Sequence, residues 1–159
     1  MTEKKKREYL VDIISNYLKT GIVVAKYFHD NATDRKDKLL CNKTIKTLES
    51  AISHLTTIKH IELLEYLHNA FVGENVFAYI MSGSIVNSPK MKEFDTEEGF
   101  IEFQKVMEER TAERLAKDKA QEETRLAIQK AKKEGKKVEM VYDKESRTVK
   151  PVIVEENKA

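Results

Sequence analysis

Residues 95–135 decide the fold, and they read DTEEGFIEFQKVMEERTAERLAKDKAQEETRLAIQKAKKEG. The stretch begins as an amphipathic helix whose apolar side chains recur at helical spacing: Phe100, Ile101, Phe103, Val106 and Met107. From 108 to 137, however, seventeen residues are charged, and the only large apolar side chains are Leu115, Leu126 and Ile128. A helix that is polar on nearly all sides is not stabilised by its own burial. We therefore predict a long helix that projects into solvent, pairs with a partner chain or docks on another surface.

Both ends of this helix carry signals in the sequence. Asp95 followed by Glu98 has the spacing of a capping box, with Asp in place of the more usual Ser or Thr. Gly135 is placed to end the helix, because glycine adopts the left-handed conformation found just after a helix. If it is unbroken, a helix over 95–135 is about 60 Å long at 1.5 Å per residue.

Helical periodicity also covers the N-terminal part of the chain. A first helix is predicted from Thr2 or Glu3 to Phe28, either continuous or broken at Gly21, where β-branched residues follow. Residues 29–34 form the predicted connection, and Asp34 caps a second helix that ends near Lys59.

Two further helical segments complete this part. A segment over 61–71, which Gly73 can end, either forms a separate helix or continues the second one. Residues 75–82 are apolar on too many sides for a surface element and predict a short buried helix. The glycine, serine and proline residues of 83–94 predict an irregular connector and a domain boundary.

The end of the chain changes from helical to strand periodicity. Residues 137–142 alternate apolar and polar, 143–146 have turn character, and 147–155 alternate again, which predicts a β-hairpin. Pro151 cannot donate to a sheet ladder, so its strand is predicted to be an edge. Two strands alone are marginal in water, and the hairpin therefore needs a surface to pack on, either in its own chain or in a partner.

The predicted fold class is thus mainly α, in four parts. Residues 1–82 form a helical bundle, 83–94 a connector, 95–135 the long helix, and 136–159 the hairpin and tail. The N-terminal helices have more apolar surface than so few elements need, in stripes that hold Tyr9, Tyr17, Tyr27 and Phe28. One of these stripes is the predicted dimer seam, which makes the bundle the predicted dimerisation region.

Composition and charge narrow the function classes. The 159 residues are about one domain long, and a net charge of +2 provides no strong basic field of the kind expected for a dedicated nucleic-acid binder. A single cysteine, Cys41, excludes an internal disulfide and has the apolar context of a buried thiol. No signal peptide or membrane span is apparent, which predicts a cytoplasmic protein with no membrane contact.

No motif points to catalysis. His29-Asp30 resembles the metal-binding dipeptide of HD phosphohydrolases, but there is no histidine upstream of it. His54, His60 and His68 are six and eight residues apart, whereas ligands on one helix need spacings of three or four. We therefore predict no enzyme activity, no cofactor and no metal site. A small hydrolase that uses Cys41 or these histidines is the least favoured alternative.

The leading hypothesis is a non-enzymatic interaction protein, a homodimer that regulates or inhibits a protein partner. The Lys-, Glu- and Asn-rich composition is similar to that of many small phage or bacterial accessory proteins. The predicted partner-binding residues are Leu115, Arg125, Leu126, Ile128, Lys130, Lys132, Lys133, Val138, Met140, Tyr142, Val149 and Ile153. The alternative is a nucleic-acid-associated accessory factor that contacts phosphates through the basic clusters at 4–7 and 130–137.

Overall fold

A computed structural model describes residues 1–154 and shows a mainly α fold, as the sequence predicts. Its elements are, in chain order, α1 (Glu3–Asn31), α2 (Arg35–Leu55), α3 (Ile61–Phe71), α4 (Ala78–Val86), α5 (Pro89–Phe94), α6 (Glu97–Lys133), β1 (Lys137–Asp143) and β2 (Thr148–Val154). The chain divides into two compact units, Met1–Gln104 and a second unit that begins at Lys105. Residues 155–159, the end of the predicted tail, lie outside the described residues.

Helix α1 begins as predicted but is longer than predicted, and it is not broken at Gly21. The Thr2 side chain caps it by accepting a hydrogen bond from Lys5 N, and the helix ends at Asn31. A Cβ at Gly21 would lie 2.7 Å from the carbonyl oxygen of Tyr79, so this glycine lets α4 approach α1 closely. The glycine therefore serves packing between helices and does not interrupt the one that contains it.

Helices α2 and α3 are separate. Asp34 caps α2 as predicted, by accepting a hydrogen bond from Lys36 N at 3.0 Å, but α2 ends at Leu55, before the predicted Lys59. The backbone N–H groups of Lys59 and His60 donate to the carboxylate of Asp95 and hold the chain outside the helical path. The carboxylate of Asp95, 35 residues beyond His60, thus makes α3 a separate helix and not a continuation of α2.

Helix α4 corrects the prediction of a buried helix over 75–82. Its closely packed face carries the small residues Ser82 and Gly83, which are buried, and a Cβ at Gly83 would lie 3.1 Å from the Leu48 side chain. The large side chains of Phe77 and Met81 consequently turn outward and are 63% and 64% exposed.

The predicted irregular connector over 83–94 is wrong, because most of it is helical. Residues 83–86 belong to α4, and Ser88 caps α5 by accepting a hydrogen bond from Met91 N at 3.1 Å. Pro89 occupies the first turn of α5, where its missing N–H has no cost. The division between the two units falls at Gln104 instead of in this segment.

Helix α6 is continuous over 37 residues, but its cap differs from the prediction. Thr96 is the capping residue, since its hydroxyl accepts a hydrogen bond from Gly99 N at 3.1 Å. The carboxylate of Asp95 is occupied by the start of α3 and does not take part in a capping box. The helix begins at Glu97 and ends at Lys133, two residues inside each predicted limit.

The core of the first unit lies between α1, α2, α3 and α4. It consists of fully buried aliphatic side chains on one face of each long helix, among them Ile14, Leu18, Leu48, Leu55, Leu63, Leu64, Leu67 and Val86. An aromatic group adds to it: the His60 ring stacks on Phe100 at 4.0 Å, and Phe103 contacts both Phe94 and Tyr66. Phe100 and Phe103, the aromatic members of the apolar stripe predicted at the start of the long helix, are therefore part of this unit, whereas Val106 and Met107 fall in the second unit.

Candidate protein-binding surface

The predicted partner-binding residues all fall in the second unit, on α6 and on the hairpin. On the helix, Leu115 and Leu126 are 59% and 51% exposed. They are eleven residues apart, which is close to three turns, so they lie on the same face. Ile128 lies on another side and is only half-exposed, one turn before the buried Ala131. The structure therefore leaves two of the three apolar helix residues uncovered.

Charged side chains of α6 are mostly unpaired with one another. Within the described part of α6, the one ion pair joins Glu122 and Arg125, three residues apart. The Arg125 guanidinium donates to both Glu122 carboxylate oxygens, at 2.9 and 2.6 Å. These hydrogen bonds lower the pKa of Glu122 and raise the pKa of Arg125. The predicted lysines of the last turns are exposed: Lys130, Lys132 and Lys133.

Gly135 turns the chain from α6 into the hairpin, as predicted. Its φ is +74°, the Gly135 N–H donates to the Lys132 carbonyl, and the Lys136 N–H donates to the Ala131 carbonyl. This pair of hydrogen bonds is a Schellman motif, which satisfies carbonyl groups at the helix end. β1 then starts two residues after the glycine.

The hairpin has one face made only of apolar side chains. Strands β1 and β2 are antiparallel, with Val138 opposite Ile153, Met140 opposite Pro151 and Tyr142 opposite Val149. Opposed residues point to the same side of a sheet and alternate residues share a face, so these six side chains lie together. We call them the hairpin face. It contains all five of the predicted hairpin residues.

Most of the hairpin face is open to solvent. Met140 is 65% exposed, Tyr142 and Val149 are each 57% exposed, and Ile153 is 43% exposed. The opposite face is mixed, because there Val141 is paired with Lys150. A monomeric protein normally buries a continuous apolar sheet face, and an uncovered one marks an interaction site.

The turn between the strands is held by Asp143. Its carboxylate accepts hydrogen bonds from Lys150 Nζ at 2.9 Å, from Ser146 Oγ at 2.8 Å and from Glu145 N at 3.1 Å. These bonds lower the pKa of Asp143 from 3.8 to about 2. The predicted turn over 143–146 is therefore ordered by its own polar groups, and Arg147 completes it with a φ of +55°.

Both strands are edges in the sheet that the described residues form. β1 has a backbone N–H at each of its positions, whereas Pro151 removes one from β2. An exposed edge presents unpaired N–H and C=O groups to which a further strand can add. β1 is thus the more complete of the two edges.

Three histidines outside this surface each contact another side chain. His60 Nδ1 donates to Asp95 at 2.9 Å, the His68 ring stacks with Tyr17, and His54 Nδ1 contacts the Thr57 hydroxyl. Within residues 1–154, no three histidine, cysteine or acidic side chains are placed to hold a metal ion. No helix in the same range has the length and apolar character to span a membrane.

Two residues of the basic cluster at 4–7 make contacts within the first unit. Arg7 donates to the carbonyl oxygens of Ile58 and Lys59, both at 2.5 Å, and Lys6 forms an ion pair with Glu65. The sequence contained no local signal for these contacts, since the acceptors are more than fifty residues away. Two of its four basic side chains are therefore already used inside the first unit.

Comparison of this chain with protein-family models, with curated proteins and with solved structures finds no match.

Proposed function

We propose that this chain is a non-enzymatic, cytoplasmic interaction protein that regulates or inhibits a protein partner, which it binds through the hairpin face. The observation that carries this proposal is an entirely apolar sheet face, on which Met140, Tyr142, Val149 and Ile153 are exposed and only Val138 and Pro151 are partly buried. A protein partner supplies an apolar cover that residues 1–154 do not give this face.

The free energy available from covering this face is appreciable. Full burial of a large apolar side chain contributes about 1.5–3 kcal/mol, and four of these side chains retain 43–65% of their exposure. Covering them contributes about 1 kcal/mol each, and roughly a thousandfold in affinity for the four together. Strand addition along β1 supplies backbone hydrogen bonds that fix the orientation of the partner.

The helix before the hairpin fits the same role. Leu115 and Leu126 provide apolar contacts on one face of α6, and Lys130, Lys132 and Lys133 provide positive charge near its end. Lysines at a helix C-terminus also complement the helix dipole, so their presence alone identifies no ligand. The apolar residues, not the charged ones, therefore carry the proposal.

Adjacent residues of β1 provide a matched test. Met140→Asp places a charge on the hairpin face, whereas Val141→Asp places the same charge on the opposite face of the same strand. Both side chains are exposed, at 65% and 46%, so neither change creates a buried charge in the free protein. We expect affinity capture from the cells that make this protein to recover a partner with the wild type and with Val141→Asp, but not with Met140→Asp. Capture of that partner by all three forms would contradict the proposal.

Deletion of residues 136–159 tests the same surface independently. We expect the far-UV circular dichroism and the unfolding of the first unit to persist, because its core uses no residue beyond Phe103, and we expect partner capture to be lost. Amide exchange over 108–134 should be fast in the free protein and slower once the partner is bound, since this segment buries little of its own. Slow exchange there in the free protein would mean that the helix is already covered.

The salt dependence of binding distinguishes this proposal from the alternative, a nucleic-acid-associated factor. Contacts to phosphates weaken steeply as salt rises, because bound counterions are released, whereas an apolar interface does not. We expect no DNA or RNA binding even at about 50 mM salt, a condition that favours such contacts.

A further inference from the structure

We propose that the first unit carries a second docking surface, the end patch, and that its occupant is another copy of this chain. The end patch lies where the C-terminal end of α1, the N-terminal end of α2 and the start of α4 meet, and it consists of Tyr27, Phe28, Leu40, Phe77 and Met81. It is made entirely of residues of the first unit and does not depend on the hairpin face.

The end patch is contiguous. The Tyr27 ring meets the Phe28 ring edge-on at 5.9 Å, and the Phe28 ring lies 6.0 Å from the Phe77 ring. Phe28 and Leu40 line one cleft of about 310 Å³. Met81 is one helical turn beyond Phe77 on α4. Three separate helices therefore contribute to a single apolar surface.

The packing of α4 explains why these side chains are outside. Residues Ala78–Val86 include no charged side chain, so this helix is apolar on its outer as well as its inner side. Its inner side must carry small residues, because a Cβ at Gly83 would lie 3.1 Å from the Leu48 side chain. A helix that is apolar all round is normally buried all round. The outer side of α4 is thus built for a cover that the first unit does not supply.

The exposed area fits the core of a dimer interface. The five side chains are 41–64% exposed, and at about 150–250 Å² for each aromatic side chain the patch presents on the order of 500 Å². A standard interface buries about 800 Å² per partner, of which the outer part is a polar rim. The end patch alone therefore supplies more than half of the area that each partner buries in a standard interface.

Charge around the patch favours a second copy over a strongly charged partner. The segments that contribute to it, 26–43 and 72–86, carry five Lys or Arg and four Asp or Glu. A twofold axis places the same surface opposite itself, and a strongly basic or acidic rim would then repel its copy. This nearly balanced rim does not, and the apolar centre of one copy matches the apolar centre of the other.

Two tyrosines on α1 provide a matched pair of variants. Tyr27 and Tyr9 are 64% and 54% exposed on the same helix, about 27 Å apart along its axis. Tyr27→Asp places a charge in the end patch, and because of the twofold symmetry it does so twice in each dimer. Phe77→Asp does the same from α4. The Phe77 side chain is 63% exposed, so this change places no buried charge in the free protein.

Sedimentation equilibrium on the full chain measures the result. We expect a dimer at tens of micromolar for the wild type and for Tyr9→Asp, and a dissociation constant at least about 100-fold higher for Tyr27→Asp and Phe77→Asp, since buried aromatic residues dominate such interfaces. A wild type that stays monomeric would overturn the proposal. So would a dimer that Tyr9→Asp or removal of residues 136–159 disrupts while Tyr27→Asp leaves it intact.

Cys41 provides a second readout, for which no cysteine has to be introduced. It is the sole cysteine of the chain and lines the cleft with Phe28 and Leu40. We expect its rate of modification by a thiol reagent to fall as protein concentration rises through the dimer range, and to become independent of concentration in Phe77→Asp. A rate independent of concentration in the wild type, despite dimer formation, would place the dimer interface elsewhere.

Discussion

Removal of the Asp95 carboxylate should destabilise the first unit more than removal of an ordinary helix cap. Both carboxylate oxygens accept from Lys59 N, at 3.1 and 2.9 Å, and one also accepts from His60 N at 3.1 Å and from His60 Nδ1 at 2.9 Å. The Asp95 side chain is only 11% exposed. Since it accepts from the two residues before α3, it connects the α5–α6 junction to the start of that helix.

The magnitude follows from these hydrogen bonds. A hydrogen bond to a charged group contributes about 1.5–3 kcal/mol net, and a buried donor left without a partner costs about 1–3 kcal/mol. The Lys59 N–H is near solvent and can bond to water, whereas the His60 N–H and ring are partly buried. We therefore expect Asp95→Ala to lower the free energy of unfolding by about 2–4 kcal/mol, and Asp95→Asn, which retains one acceptor oxygen, by about 1–2 kcal/mol.

Urea unfolding followed by circular dichroism measures this loss. With a slope of about 1–3 kcal/mol per molar urea, the Asp95→Ala midpoint should fall by roughly 1–2 M. The matched control is Asp34→Ala, which removes one exposed cap bond to Lys36 N and should cost about 1 kcal/mol. A loss for Asp95→Ala no larger than that for Asp34→Ala would refute the reasoning.

The difference in free energy of unfolding between the wild type and Asp95→Asn should also depend on pH, in a direction set by the pKa of Asp95. Burial raises the pKa of Asp95, but the hydrogen bonds from Lys59 and His60 outweigh it and bring the pKa below its ordinary value of 3.8. A group whose pKa is lower in the folded state stabilises the fold above its unfolded value and loses this contribution as pH falls. The advantage of the wild type over Asp95→Asn should therefore be complete above pH 3.8 and shrink below it.

Two further predictions concern backbone positions. Gly21→Ala should lower the free energy of unfolding by about 1–3 kcal/mol, because the new methyl group meets the Tyr79 carbonyl. Alanine is otherwise the better helix former. A variant that is more stable than the wild type in urea unfolding would therefore exclude this close approach. Arg147→Gly should stabilise the hairpin by about 1 kcal/mol, because Arg147 has a φ of +55°, and Arg147→Val should weaken it. Amide exchange across β1 and β2 reports both changes, and equal protection in the two variants would contradict the assignment of strain to Arg147.

The parts of the fold that were predicted correctly depend on local signals. The cap at Asp34 bonds to a residue two positions away, and the Gly135 turn forms within six residues. The hairpin was predicted because alternation and turn residues are close together in the chain. Its candidate residues follow from the same alternation, which is why all five lie on one face.

The parts that the sequence left open or predicted wrongly depend on contacts between distant residues. Gly21 has the local signature of a break, and only the approach of Tyr79 gives its actual role. Asp95 has the spacing of a cap, yet its carboxylate is bonded 35 residues back. No periodicity distinguishes the inner and outer sides of α4, because its apolar residues occur all round.

The two proposed surfaces differ in how the sequence encodes them, and this difference supports separate roles. The hairpin face is a run of alternating residues in one short segment, so its composition can change without affecting the core of the first unit. The end patch uses α1, α2 and α4, whose other sides form that core, so its residues are constrained by the fold as well as by any partner. A surface free to change suits recognition of a particular protein, whereas one tied to the core suits a constant partner such as a second copy. The paired variants at Met140 and Val141 and at Tyr27 and Tyr9 test these roles independently, because each pair alters one surface and leaves the other intact.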